Sequence, residues 1–260
     1  MMDDLLKSSG SKYDEYEKLI IERDQLNKEG GQIWTVYLQM FGELITENYE
    51  EKIECIKCKK TIAFYQSVIN HGGKADAKAM QEYLDREMAE YYENLKKMTQ
   101  DNKRANEAGT SSAYEAKRSK ELYRKLAKLI HPDLNPETDR SPELQELWQR
   151  ILIAYGENSV KELAELEVLV RKALKDLGID DVKAEIPDIS DKIEDLKEEI
   201  EDIKRSEPYS LKYLVEDEEA AQKKKDEIVK ETEGYRKYRK ELGEIIIKMI
   251  AEGGLHFYVE

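Results

Sequence analysis

Apolar residues recur at helical spacing along almost the whole 260-residue chain. Leu19, Leu26 and Ile33 lie one heptad apart, and Ile33, Tyr37, Met40 and Leu44 continue a single stripe. The pattern predicts a long helix, in which Gly30-Gly31 is either a break or an insertion tolerated at about 1 kcal/mol per glycine. A second helix is predicted from Tyr49 to Asn70, with Ile53, Ile56, Ile62, Tyr65 and Ile69 apolar and His71-Gly72-Gly73 as its stop. A third is predicted from Asp76 to Ala105, through Met80, Tyr83, Leu84, Met88, Tyr91, Leu95 and Met98. Short connections make consecutive helices antiparallel neighbours, so residues 1–109 read as an N-terminal helical hairpin or coiled coil.

The far end of the chain carries the strongest periodic signal. Ile186, Ile189, Ile193, Leu196, Ile200 and Ile203 are spaced 3, 4, 3, 4, 3, with charge filling the intervals. That is an a/d seam, too short to be stable without a partner helix. Pro208 ends it, and a second long helix follows through Ile228, Tyr235, Tyr238, Leu242, Ile245 and Met249. The two are expected to fold back on each other, making residues 179–260 a C-terminal coiled-coil hairpin. Its tail, Gly253 to Val259, reads as a short strand, a docked segment or a ligand for a partner's groove.

Between them, residues 110–178 behave differently. Gly109-Thr110-Ser111-Ser112 reads as a linker. Leu122, Leu126 and Leu129 then line one face of a helix flanked by Tyr123 and Ile130. Pro132 cannot continue that helix and drives His131 out of the α region, and Pro136 follows at once, forcing a loop. Ser141-Pro142 restarts a helix as N-cap and first helical residue, with Leu144, Leu147, Trp148, Ile151, Leu152, Ala154 and Tyr155 along it. The apolar pattern runs on through Leu163, Leu166, Val168 and Leu169, predicting a long second helix.

Composition agrees with an all-α fold: 13 Gly and 5 Pro are too few for the turns a sheet requires, and 38% of residues are charged. The net charge of −14 disfavours nucleic acid as a partner. The apolar runs are too short for a membrane helix. The start, Met1-Met2-Asp3-Asp4, lacks an apolar signal core, and two cysteines make no disulfide framework, so the expected location is cytoplasmic. Charge is unevenly spread, with −5 over residues 1–109, zero over 110–178 and −9 over 179–260. Within the neutral part, Lys117 to Lys128 carries six basic residues and one acidic. Cys55 and Cys58 have no second pair or nearby histidines to complete a zinc site, and read as half-buried helix residues. No phosphate-cradling glycine loop, nucleophile elbow or Ser/His/Asp set stands out, so neither enzyme activity, a cofactor nor a metal is expected.

The middle segment resembles the J domain of DnaJ-type co-chaperones over about residues 117–166. Tyr123-Arg124-Lys125-Leu126-Ala127, three further residues and His131-Pro132-Asp133 match the register of that family's second helix and loop. Trp148, Ile151, Ala154 and Tyr155 fit the steps of its third. The resemblance implies a J-domain-like helical hairpin, with long antiparallel coiled-coil helices on both sides. It also implies that the protein recruits a DnaK-type ATPase chaperone and stimulates its hydrolysis. His131, Pro132 and Asp133 would carry the stimulation, while Arg124, Lys125 and Lys128 would form the basic face that meets the chaperone. The chain departs from the family in having no Tyr-x-x-Leu-Gly helix within Gly109 to Ser119. Lys128 also stands at a usual apolar position, with Leu129 one step later. The J-like unit is expected to be completed by a helix from elsewhere in the chain, the first region being the candidate.

Two functions follow. In the first, the protein is a co-chaperone whose arms bind a client or self-associate. In the second, it is a helical scaffold whose J-like unit recruits nothing. His131 and Asp133 pointing to solvent beside Lys125 and Lys128 would favour the first, and burial of either against another helical region the second.

Overall fold

The computed structural model describes residues 2–72, 76–109, 111–179 and 186–252. Every regular element among them is helical: α1 (Met2–Asn70), α2 (Ala77–Glu107), α3 (Ala113–Ile130), α4 (Glu137–Arg140), α5 (Pro142–Gly156), α6 (Val160–Asp176), α7 (Ile189–Arg205), α8 (Lys212–Glu216) and α9 (Glu218–Glu252), with a 3-10 turn at Tyr209–Leu211. The fold is all-α, as the periodicity predicts. The tail from Gly253 to Val259 lies outside the described residues.

Where the pattern predicts two helices before His71, there is one. Gly30 stands where an added Cβ would come within 3.3 Å of the Pro208 ring, so this glycine admits a close neighbour instead of ending the helix. α1 stops after Asn70, with Gly72 at φ +63° and its N–H bonded to the Ile69 carbonyl. The expected run from α5 into α6 is interrupted. Asn158 adopts φ 55°, and the Ser159 N–H turns back to the Ala154 carbonyl, so Val160 opens a separate helix. Local polar geometry overrides the continuous apolar pattern there.

The described residues gather into two compact units that do not follow chain order: residues 1–32 with 109–210, and residues 33–108 with 211–260. In the first unit α3, α5 and α6 pack against one another around Leu122, Leu126, Ile130, Leu144, Ile151 and Leu163, with Ile21 of α1 joining them. A second cluster sets Tyr16 and Ile20 of α1 against Leu134, Ile193 and Leu196. The short α7 seam therefore finds its partner in α1. The direction is parallel, since Lys197 pairs with Glu15 at 3.1 Å and Lys204 with Glu22 at 3.6 Å. Such exposed pairs contribute little energy but fix register.

In the second unit α2 runs back along α1 as expected, with Lys60 bonded to Glu87 at 2.7 Å and Asn102 to the Gly42 carbonyl at 2.9 Å. α9 runs parallel to α1: Phe41 packs with Ala221 and Ile228, Asn48 bonds Thr232 at 3.2 Å, and the Cys55 thiol donates to the Tyr235 carbonyl at 3.2 Å. The expected fold-back of the two C-terminal helices, and the antiparallel arms it implied, give way to this arrangement. A heptad seam specifies an apolar stripe and not which stripe it meets, and α1 offers one to each helix. Near the end of α9, Ile246, Met249 and Ile250 pack beside Tyr65 and Met80, while Ile245 stays exposed.

Gly42 supplies a test of how tightly α1 and α2 approach. An added Cβ would lie 2.3 Å from the Asn102 Oδ1, displacing a buried amide that donates to the Gly42 carbonyl and, at 2.6 Å, to Thr46 Oγ1. Gly42→Ala is expected to cost about 1–3 kcal/mol in urea unfolding. Gly31→Ala, whose Cβ meets nothing within 4 Å, is expected to stabilise by about 0.5–1 kcal/mol.

Candidate functional site

α3 begins at Ser112, whose side chain accepts from the Glu115 N–H while Glu115 accepts from the Ser112 N–H, a closed capping box. It ends at Ile130, and His131 takes extended geometry, as a residue before proline must. The loop that follows is tied down from within. The N–H groups of Leu134 and Asn135 both reach the His131 carbonyl. Asn135 donates to the Leu129 carbonyl at 3.0 Å and accepts from the Glu137 N–H at 3.1 Å. The buried Thr138 hydroxyl donates to the Ile130 carbonyl at 3.0 Å. Ser141 then accepts from the Leu144 N–H, and Pro142 opens α5.

His131 is not on the surface; it is 4% exposed. Its Nδ1 accepts the Asp133 N–H at 3.0 Å, which leaves the proton on Nε2, 3.2 Å from Oδ2 of Asp24 in α1. That same carboxylate oxygen accepts the Tyr123 hydroxyl at 2.6 Å, while Oδ1 takes Arg23 at 3.0 Å. The Trp148 ring closes the other side of the imidazole, edge on, with centroids 4.8 Å apart. The α1 segment thus stands beside α3 where the sequence left the unit lacking a helix, and Tyr123 and His131 are its polar anchors.

Asp24 is 14% exposed, and burial alone would raise its pKa. The hydrogen bonds from the His131 ring and the Tyr123 hydroxyl, with the Arg23 guanidinium, outweigh burial and hold the carboxyl below its ordinary value. Burial, together with the Asp24 charge and hydrogen bond, drives the Tyr123 hydroxyl far above the usual tyrosine range, so it stays a donor.

Asp133 does face outward, with 42% of its side chain exposed, though Arg23 reaches it at 3.3 Å. Arg124 and Lys125 are exposed on α3; Lys128 is exposed but pairs with Glu17 of α1 at 2.6 Å. Pro132 is half-buried. The six residues picked from sequence are therefore divided: His131 is internal, and Asp133 and the basic residues are accessible. Pattern reading missed Arg23, Asp24, Asn135 and Thr138. The last two lie on either side of Pro136 in a turn-forming run, which is a local signal. Arg23 and Asp24 read as an ordinary solvated helix face.

Cys55 is buried and Cys58 half-buried, and both are free thiols whose pKa values burial pushes upward. Among the described residues no group of three His, Cys, Asp or Glu side chains gathers as a metal would need. No helix among them is long and apolar enough to cross a membrane.

Removing the Asp24 carboxylate strands the His131 and Tyr123 protons, so Asp24→Ala is expected to lose about 3 kcal/mol of stability. Because the folded pKa lies below the ordinary 3.8, the stabilisation is complete above that value and disappears as pH falls through the folded one. The stability gap between the wild type and Asp24→Asn, followed by urea unfolding, should be constant from neutral pH down to about pH 5 and close in stronger acid. No protein-family model matches the chain, and no curated protein or solved structure matches it either.

Proposed function

We propose that this protein recruits a DnaK-type ATPase chaperone and stimulates its ATP hydrolysis, using Asp133 and the basic face of α3. The reading rests on the resemblance of residues 117–166 to J domains, and the observation that carries it is the outward carboxylate of Asp133 on a pinned loop. Pro132 and the hydrogen bonds of Asn135 and Thr138 fix that loop in advance, so presenting the carboxylate costs little ordering entropy. The helix leading into it exposes Arg124 and Lys125, cationic on a protein of net charge −14. Such a local patch steers encounter with an acidic surface. His131 acts as the brace of the loop and not as a contact residue, holding the Asp133 N–H and tying the loop to Asp24.

A second reading is favoured by one observation. Burial of His131 against α1, with Arg23 drawn to Asp133, is what a helical scaffold with a purely structural loop would also contain.

Steady-state ATP hydrolysis by a DnaK-type chaperone separates the two. Under the recruitment reading the protein raises the rate several-fold at low salt, Asp133→Asn abolishes the rise, and Arg124→Ala with Lys125→Ala shifts the half-maximal concentration upward. Raising the salt weakens the effect. Unchanged hydrolysis over the full range of protein concentration at low salt assigns the loop to the scaffold.

A further inference from the structure

Acidic residues outnumber basic ones in this chain by 57 to 43, yet one open cavity inverts the balance. It has a volume of about 330 Å³ and is bordered by Lys28 of α1, Lys117 and Lys120 of α3, the aromatic face of Tyr155 and the amides of Gln25, Gln32 and Asn158. The one carboxylate at its wall, Glu29, accepts from the Gln25 amide at 2.8 Å. Among the described residues none of the three lysines has a carboxylate oxygen within 4.0 Å.

The position of Lys28 is built and not accidental. Its Nζ donates to Asn158 Oδ1 at 2.6 Å and Ser119 Oγ at 3.3 Å, and lies 3.6 Å above the Tyr155 ring. Every one of those partners is neutral, so the ammonium is fixed in place without being neutralised. Lys117 and Lys120 are three residues apart and share a face of α3. Like charges brought together at a partly desolvated wall repel, and an anion between them turns that repulsion into attraction.

We propose that this cavity is a binding site for a small phosphate-bearing anion, of the class of inorganic phosphate or pyrophosphate. The lysines supply charge, and the amides of Gln25 and Gln32 supply directional donors. The volume admits a ligand of that size, being at the low end of small-molecule sites. Burial and the Lys120 charge already hold Lys28 down at about 8, against a usual 10.5. An anion facing Lys28, Lys117 and Lys120, with only Glu29 and Tyr155 as the opposing titratable groups, favours the protonated amine. The site does not depend on the chaperone reading.

The test is calorimetric titration of the full chain with pyrophosphate at neutral pH and constant ionic strength, with sodium sulfate as the comparison anion. Saturable binding is expected, weakened at least tenfold by Lys120→Gln and by the more exposed Lys117→Gln, and unchanged by Lys172→Gln, which removes the same charge from α6. Circular dichroism melting checks that each variant keeps its helices, and if Lys120→Gln fails to fold, Lys117→Gln decides. Absence of saturable heat, equal weakening by Lys172→Gln, or binding untouched by both cavity variants overturns the site. Sulfate binding as tightly as pyrophosphate overturns the assignment to phosphate chemistry.

Discussion

A largely buried carboxylate has to be partnered, and the arrangement of the first compact unit follows from how Asp24 meets that requirement. Its two oxygens take an imidazole N–H, a phenol and a guanidinium from two segments about a hundred residues apart in sequence. Satisfying them fixes the rotation of α1 against α3, and with it which α1 residues reach the core. Ile21 then enters the α3–α5–α6 cluster, while Tyr16 and Ile20 turn toward Leu134 and α7. Apolar burial supplies most of the energy, but it is tolerant of small rotations. The polar set is not, because a misplaced donor is left without a partner in a low-dielectric interior.

The same network decides what the His-Pro-Asp loop exposes. Proline sets the backbone, Asn135 and Thr138 close it, and His131 is drawn inward by Asp24. The tripeptide is split between an internal brace and an external carboxylate, and the two are linked through the Asp133 N–H on the imidazole. The loop is consequently stiff where it meets the core and charged where it meets water.

Much of this was legible from local chemistry. The two prolines, and Ser141 with Pro142, mark the end of α3, the loop and the start of α5, because caps and proline geometry act over a few positions; the Ser112–Glu115 capping box that opens α3 lies in what reads as linker. The break at Asn158 is hidden in the sequence because an apolar stripe crosses it without interruption; only the left-handed backbone there shows it. Pairing of distant helices was the least legible part. The α7 seam announces that it needs an apolar partner, but heptads read alike in both directions, and nothing in Ile193 or Leu196 names Tyr16 and Ile20. Likewise Arg23 and Asp24 lie among Glu22, Lys28 and Glu29, a run of charge that looks fully solvated until the partners from residues 123–133 are placed beside it.

Helix α1 lends one stretch to each compact unit, so both units draw on residues made early and residues made late. During synthesis Tyr16 and Ile20 leave the ribosome long before Ile193 and Leu196 exist, and Phe41 long before Ile228. Domains generally fold as units while the chain emerges, but neither unit here can close until most of the polypeptide has been made. The contacts that close them, such as Tyr16 and Ile20 with Ile193 and Leu196, are long in sequence separation in spite of the all-helical content, and such contacts form slowly. In the interval the apolar stripe of α1 is uncovered in the nascent chain.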